Sequence, residues 1–173
     1  MNIVKKQVNI KRNIKSKLER HPVPILGKDY RVKIMYKNTK IIELDVDGKN
    51  IIISLPNQYK KVENTNILDL AIDKMYEQIA KVEIERAMEK TRIMLGFAPE
   101  EYEIEKIKSL GRCENRKITI HPEIVKYRRE IIDYIVLHQY CHLKYKTHSK
   151  SFYKLLEKYE PNYKRCEEEL LNI

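Results

Sequence analysis

The chain has 173 residues, of which 42% are hydrophobic and 35% charged, so it is long and apolar enough for the core of one domain. No apolar run approaches the roughly 20 residues that span a bilayer, which excludes an integral membrane protein. The lysine-rich N-terminus lacks the apolar segment of a signal peptide. Three scattered cysteines favour a reducing cytoplasm over a disulfide scaffold.

The formal charge of +10 is concentrated in two segments, a basic N-terminal arm at 1–22 and residues 126–154. Clusters of this kind attract polyanions such as nucleic acid. They are equally typical of lysine-rich surfaces exposed to water, and no aromatic-basic recognition motif accompanies them. Surface solvation is therefore the favoured interpretation, and nucleic-acid binding stays open as an alternative.

Residues 23–65 predict a three-stranded antiparallel β-meander. Tyr30–Tyr36 alternates polar and apolar residues, as a half-buried strand does. A second strand is predicted over Lys40–Val46 and a third over Ile51–Leu55, and the Asp47-Gly48 pair between them predicts a hairpin turn.

Residues 66–173 predict a mainly helical part. Asn66 can cap a long helix that ends near Leu95, with Gly96 as its C-cap. Two strands are predicted at 102–110 and 117–120, then a helix at 126–145, another starting near Ser149 or Ser151, and a short acidic helix after Pro161. Strands, a long helix, strands and helices in that order predict an α+β fold. We predict one domain over residues 23–173.

Three histidines within eleven residues carry the main functional signal. His138 and His142 are four residues apart, which is about 400° of helical rotation, so both imidazoles leave one face of a helix. In a continuous helix, His148 would lie about 240° further round and roughly 9 Å along the axis. It can share an ion with the other two only if the helix ends near Lys146-Thr147. Thr147 and Ser149 are suitable N-caps for a new helix, so a break there is chemically reasonable.

The segment from Cys113 to Lys164 resembles the YgjP-like metallopeptidase family, which is related to the SprT and WLM zincins. The resemblance rests on Ile118-Thr119-Ile120, His138-x-x-x-His142-Leu143-Lys144 and His148-Ser149-x-x-Phe152, and it extends upstream through Val23–Gly27 and Ile53–Pro56. It implies a zincin-like catalytic half, one zinc ion on His138, His142 and His148, and hydrolysis of peptide bonds.

The chain departs from this family at the catalytic base. Gln139 stands where the family has a glutamate, whose carboxylate takes a proton from the attacking water and passes it to the leaving amine. Glutamine has the same shape but cannot store a proton at neutral pH. Leu110, Arg112 and His121 also depart from the family's pattern near the site, which favours natural divergence over a single engineered change.

Three functions therefore remain open. The first is a zinc-dependent peptidase that is inactive or weakly active because of Gln139. The second is a metal-binding scaffold that recognises peptides without cutting them, and the third is a nucleic-acid-associated protein. The remaining candidates are interpreted as structural or surface residues: His21, His121, Tyr134, Cys141, Tyr145, Glu157 and Glu160. Cys113 and Cys141 could in principle contact the metal, but burial as a small apolar residue is the favoured interpretation of Cys141.

Overall fold

The computed structural model describes residues 21–61 and 65–171, so most of the predicted basic arm lies outside the described residues. The chain divides into two compact units, one through Met75 and the other from Tyr76 onward. Strands, a long helix, a second sheet and further helices follow one another, which confirms the predicted α+β class. No helix in the described part is long and apolar enough to cross a membrane. The limits of a single domain at 23–173 remain a prediction.

The first unit contains one sheet of four strands in the order β1-β2-β4-β3. β2 and β4 run parallel, with Val32 opposite Ile51, while β3 pairs antiparallel with β4. The predicted antiparallel meander is therefore wrong in its pairing, although the hairpin at Gly48 is confirmed, with φ at +58°. The strands are β1 (Val23–Ile25), β2 (Lys28–Lys37), β3 (Glu43–Asp47) and β4 (Asn50–Pro56).

Burial explains why β4 rather than β3 lies in the middle of this sheet. Ile51, Ile53 and Leu55 are completely buried, and β4 reads as a nearly continuous apolar run, as strands covered on both faces do. β3 is acidic and largely exposed, which suits an edge position because charges there discourage further pairing. The consecutive isoleucines of β4 were the sequence signal for a central strand.

A long helix, α1 (Thr65–Leu95), follows a short 3-10 helix at Asn57–Lys61. Gly96 ends α1 as predicted, with φ at +74° and its amide donating to the Arg92 carbonyl at 2.9 Å. A positive φ at the residue after a helix is favourable for glycine because it has no Cβ.

The second unit contains a three-stranded sheet in the order β5-β7-β6. Its strands are β5 (Glu101–Ile104), β6 (Gly111–Glu114) and β7 (Lys117–Ile120). β7 is confirmed, whereas the predicted strand at 102–110 ends early and β6 was missed. β6 and β7 form a hairpin through Asn115 and Arg116, both with positive φ. Asn115 was the available signal, since asparagine tolerates that conformation.

Three helices complete the second unit, namely α2 (Arg129–Lys144), α3 (Lys150–Tyr159) and α4 (Tyr163–Leu171). α2 begins three residues later than predicted, because Pro122–Lys126 forms a separate 3-10 helix. Its packing partners include β6, β7, α3 and α4. The predicted break between α2 and α3 and the one at Pro161 are both confirmed.

Charged groups fasten α2 to the C-terminal half of α1. Glu83 is only 4% exposed, and its carboxylate accepts hydrogen bonds from the Arg129 guanidinium at 2.6–3.1 Å. Asp133 accepts from Arg86 at 2.7 Å and from Lys90 at 2.6 Å. A buried carboxylate needs such partners because its desolvation is costly. These ion pairs therefore set where α2 lies along α1.

Replacing Glu83 tests this clamp. We expect Glu83→Gln to lower the unfolding free energy by about 1–3 kcal/mol at pH 7, measured by urea denaturation. The hydrogen bonds from Arg129 hold the pKa of Glu83 below its ordinary value of 4.5. The carboxylate's contribution is thus present at neutral pH and is lost as the pH falls through that lowered pKa, so wild type and variant should converge in acid.

The matched control is Glu89→Gln, which removes an exposed ion pair with Arg92 on the same helix. Exposed pairs contribute little, so this variant should unfold at the same urea concentration as the wild type. An equal effect of both substitutions would contradict a structural role for the buried pair.

Candidate metal centre

The face of α2 that bears His138 and His142 begins the site. Their Nε2 atoms lie 3.2 Å apart, one helical turn from each other. α2 ends two residues after His142, and Tyr145 takes an extended conformation with φ at −128° while its amide donates to the Cys141 carbonyl at 2.9 Å. The chain can therefore leave the helix axis at this point.

A reversal over residues 145–149 brings His148 back to the same place. Ser149 caps α3, and its hydroxyl oxygen accepts from the Phe152 amide at 3.3 Å. The Nε2 atom of His148 then lies 3.0 Å from Nε2 of His138. The structure therefore brings all three sequence-predicted histidines together, by the helix break that the spacing required.

The three nitrogens have the arrangement that a shared ion needs. One ligand atom from each histidine lies within 4.8 Å of the others, and this group includes neither a carboxylate nor a cysteine. Nitrogens that bind one tetrahedral zinc at 2.0–2.1 Å are about 3.4 Å apart. Two of the histidines are half-buried and His148 is exposed, so the group faces solvent on one side. The donor set fits a zinc ion with three protein ligands and an open position.

Hydrogen bonds behind the imidazoles orient two of them. The Nδ1 atom of His142 lies 3.1 Å from the Tyr145 carbonyl, so this nitrogen carries the proton and Nε2 presents its lone pair. Nδ1 of His138 lies 3.3 Å from the Tyr134 hydroxyl, which donates to Glu167 at 3.1 Å. Metal-binding histidines usually have such a partner, which fixes the tautomer and the ring direction.

Phe152 forms the floor of the site. It is completely buried, and its ring centroid lies 5.0, 4.8 and 4.7 Å from those of His138, His142 and His148. One aromatic ring therefore restricts all three imidazoles. Sequence reasoning counted Phe152 only as part of the family pattern, and it missed the Tyr134–Glu167 pair because that contact depends on how α4 packs.

Burial keeps the two helical imidazoles neutral. It lowers the pKa of His138 to about 4, with a smaller contribution from the neighbouring His142 and His148. Burial also lowers the pKa of His142 below its ordinary value. Since only neutral imidazole binds a metal, the site is ready for an ion at neutral pH.

Gln139 lies next to the three converging histidines and against Gly111 of strand β6. Its side chain is 7% exposed and makes no hydrogen bond with the described residues. A Cβ placed on Gly111 would come within 3.1 Å of the Gln139 side chain, so only glycine allows this close approach without displacement. Both residues line a pocket of about 250 Å³ together with Tyr134 and His138. A buried amide without a partner next to a metal site is available to a ligand.

The other chemically active side chains lie outside this group. Cys141 is completely buried, which raises the pKa of its thiol to about 12. His121 caps a 3-10 helix by accepting from the Glu123 amide at 3.0 Å, as its structural interpretation predicted. Glu160 accepts from the Asn162 amide in the loop after α3.

Comparison with known proteins identifies the family. A family model described as YgjP-like, metallopeptidase domain matches residues 1–172. The chain belongs to the YgjP-like metallopeptidase family. Membership implies a divalent metal, typically zinc, and a peptide substrate. No curated protein matches the chain.

Two solved structures are similar over half of the chain. The metallopeptidase zymogen of Pyrococcus abyssi abylysin has a TM-score of 0.47 and 29% identity, covering 51% of this chain and 92% of that one. The metallopeptidase zymogen of Methanocaldococcus jannaschii jannalysin has a TM-score of 0.45 and 17% identity, covering 52% and 88%. Neither TM-score reaches 0.5, so the identification rests on the family match.

The hydrogen bonds behind His138 predict an effect on metal affinity. Tyr134→Phe removes the acceptor for Nδ1 of His138, and we expect zinc to bind roughly 10- to 100-fold more weakly, measured by competition with a chelating dye. Glu167→Gln keeps an acceptor for Tyr134 and should have a smaller effect. Tyr102→Phe, which removes a hydroxyl elsewhere in this unit, is the control, and an equal loss there would contradict the assignment.

The lowered histidine pKa values predict when acid releases zinc. Protons and zinc compete for the same Nε2 atoms, and a pKa of about 4 for His138 moves that competition to more acidic solution. We therefore expect the release midpoint in an acid titration below pH 6, beneath the ordinary imidazole value near 6.5. Release centred at or above that ordinary value would show that burial does not protect the site.

Proposed function

We propose that this chain is a zinc-dependent peptide-bond hydrolase of low or absent activity, in which Gln139 occupies the place of the general base. His138, His142 and His148 would hold the ion. The observation that carries the proposal is the convergence of three imidazole Nε2 atoms beside a buried glutamine, with those of His142 and His148 lying 3.2 and 3.0 Å from that of His138. The cysteine usage supports a cytoplasmic location.

The peptide would bind along strand β6. Among the described residues β6 pairs only with β7, so its other edge is free for an extended peptide to add a strand. β6 packs on α2, and Gly111 at its start lies against Gln139. Pairing with this edge would therefore lead the backbone of the peptide past the metal group.

Gln139 limits what the site can do. A zinc ion on the three imidazoles would polarise the scissile carbonyl and make the attacking water more acidic. The Gln139 amide can hold that water by a hydrogen bond but cannot accept its proton and return it to the leaving amine. General acid–base catalysis typically raises a reaction rate by a factor of about 10² to 10⁴. We expect Gln139 to lower the rate of peptide hydrolysis by that factor relative to a glutamate.

Tyr134 does not replace the missing base. Burial and the neighbouring carboxylate of Glu167 raise the pKa of its hydroxyl above the ordinary value, so it stays protonated at neutral pH. Its hydrogen bonds run to Glu167 and to Nδ1 of His138, on the side of the ring away from the converging Nε2 atoms. Its role is to position His138.

Recognition of peptides without cleavage is the second candidate. It is favoured by the Gln139 amide, which is buried and has no partner among the described residues. Such an amide can donate to a peptide carbonyl, whereas a carboxylate there would only accept. A chain that binds zinc and peptides but does not cut them would fit this function.

Nucleic-acid binding has less support in the described residues. Three cations of the basic segment 126–154 are engaged in ion pairs, since Lys126 pairs with Glu123, Arg128 with Glu169, and Arg129 with Glu83. Residues 1–20 lie outside the described part of the chain. The remaining cations lie mainly at the end of α2 and on α3.

Restoring the carboxylate tests the role of Gln139. We expect Gln139→Glu to raise cleavage of an unfolded protein substrate by about 10² to 10⁴ where the cleft admits it, with zinc content unchanged. The comparison uses equal zinc loading, a chelator control, and His138→Ala in the restored background as the inactive reference. Equal, chelator-sensitive cleavage by the wild type and the glutamate form would show that another group is the base.

A salt series tests the nucleic-acid alternative. If phosphate contacts matter, labelled single- and double-stranded DNA should bind at about 50 mM salt and dissociate steeply as salt rises. We expect peptide binding at the candidate metal site not to depend on low salt in this way. Absence of DNA binding at low salt would remove the alternative.

A further inference from the structure

A second pocket of about 530 Å³ adjoins the metal centre in the second unit. The metal ligand His142 lines it, and so do the tip of the β6–β7 hairpin and the end of α2. It differs from the small pocket at Gln139 in its charge. The cations in its lining are Arg116, Lys144 and Lys146, whereas Glu114 is its one carboxylate.

Two of these cations have no carboxylate partner among the described residues. Lys146 forms no ion pair there, and the Nζ atom of Lys144 lies over the face of the Phe97 ring, 4.4 Å from its centroid. Arg116 pairs with Glu100, and Glu114 is 3.7 Å from Arg112. The pocket therefore carries uncompensated positive charge toward whatever enters it.

The geometry of β6 connects this pocket with the metal centre. Gly111 contacts Gln139, and Cys113, two residues further, lines the basic pocket. Residues two apart in a strand face the same side and are about 6.6 Å apart. A peptide paired with β6 would thus pass the metal group and then extend one side chain toward Lys146.

We propose that this pocket is a subsite for an aspartate or glutamate side chain of the bound peptide, next to the position at the metal centre. The inference rests on the proposed function and specifies its substrate class. A carboxylate suits two ammonium groups that have no carboxylate partner among the described residues and lie beside a strand-binding edge. A nucleic-acid backbone would instead need a longer track of cations, and Arg128 and Arg129 at the start of α2 are already paired.

The test is a position scan with labelled peptides on the zinc-loaded full chain. One glutamate is moved through an otherwise uncharged sequence, and each peptide has a twin with glutamine at that position. We expect fluorescence anisotropy to show tighter binding of the glutamate peptide at one position only, by roughly two- to fivefold at low salt. Lys146→Glu should abolish that preference, while Lys144→Gln reduces it.

Lys154→Glu is the matched control, because it makes the same charge change on α3 outside the pocket. The preference should survive in that variant. A preference independent of position, an equal loss in Lys154→Glu, or no difference between the twins would overturn the subsite. The subsite would also be overturned if single-stranded DNA bound more tightly than the best peptide and this binding required Lys146.

Zinc content measured on the same samples separates this inference from the proposed function. A chain that holds one zinc and binds both twins equally loses the acidic subsite but keeps its metal site. A chain that holds no zinc loses the proposed function, and the position scan still decides whether the basic pocket selects a carboxylate.

Discussion

Three imidazoles can meet one ion here only if the chain reverses direction between His142 and His148. A helix that continued would carry the third ring away from the first two, so the extended Tyr145 and the cap at Ser149 are what create the site. The reversal also buries Phe152 beneath all three rings. One aromatic side chain thus couples the packing of α3 to the position of the metal ligands.

The direction in which the histidines point depends on how α2 is held. Its partners include β6 and β7, and ion pairs from α1 hold its first half through Glu83 and Asp133. α4 contributes through Glu167, which reaches His138 by way of Tyr134. The candidate metal site is therefore supported from several elements, α1, α4, β6 and β7.

Electrostatics at the site follow from one missing charge. A carboxylate at position 139 would be an anion beside the three histidines, whereas Gln139 is neutral, and the ligand group found among the described residues contains only imidazoles. Lys144 and Lys146, which pair with no carboxylate among the described residues, line the adjoining pocket. The combination of a cation-binding triad, a neutral amide and a basic pocket favours ligands that bring their own negative charge. This is the physical link between two of our proposals, the loss of catalytic rate at Gln139 and the preference for an acidic peptide.

The sequence by itself determined the three histidines, the helix break between them, the long helix with its glycine end, and the family, because each depends on spacing or on local backbone preference. It did not determine the parallel pairing of β2 and β4. Strand order depends on which strand has the most apolar surface to bury, and that is decided by the packing of the whole unit. Nor did it find β6, because four residues are too short a run for their alternation of uncharged and charged side chains to stand out. The contacts of Gly111 with Gln139 and of Tyr134 with Glu167 were decided only by the tertiary structure, which brings together residues about 30 positions apart.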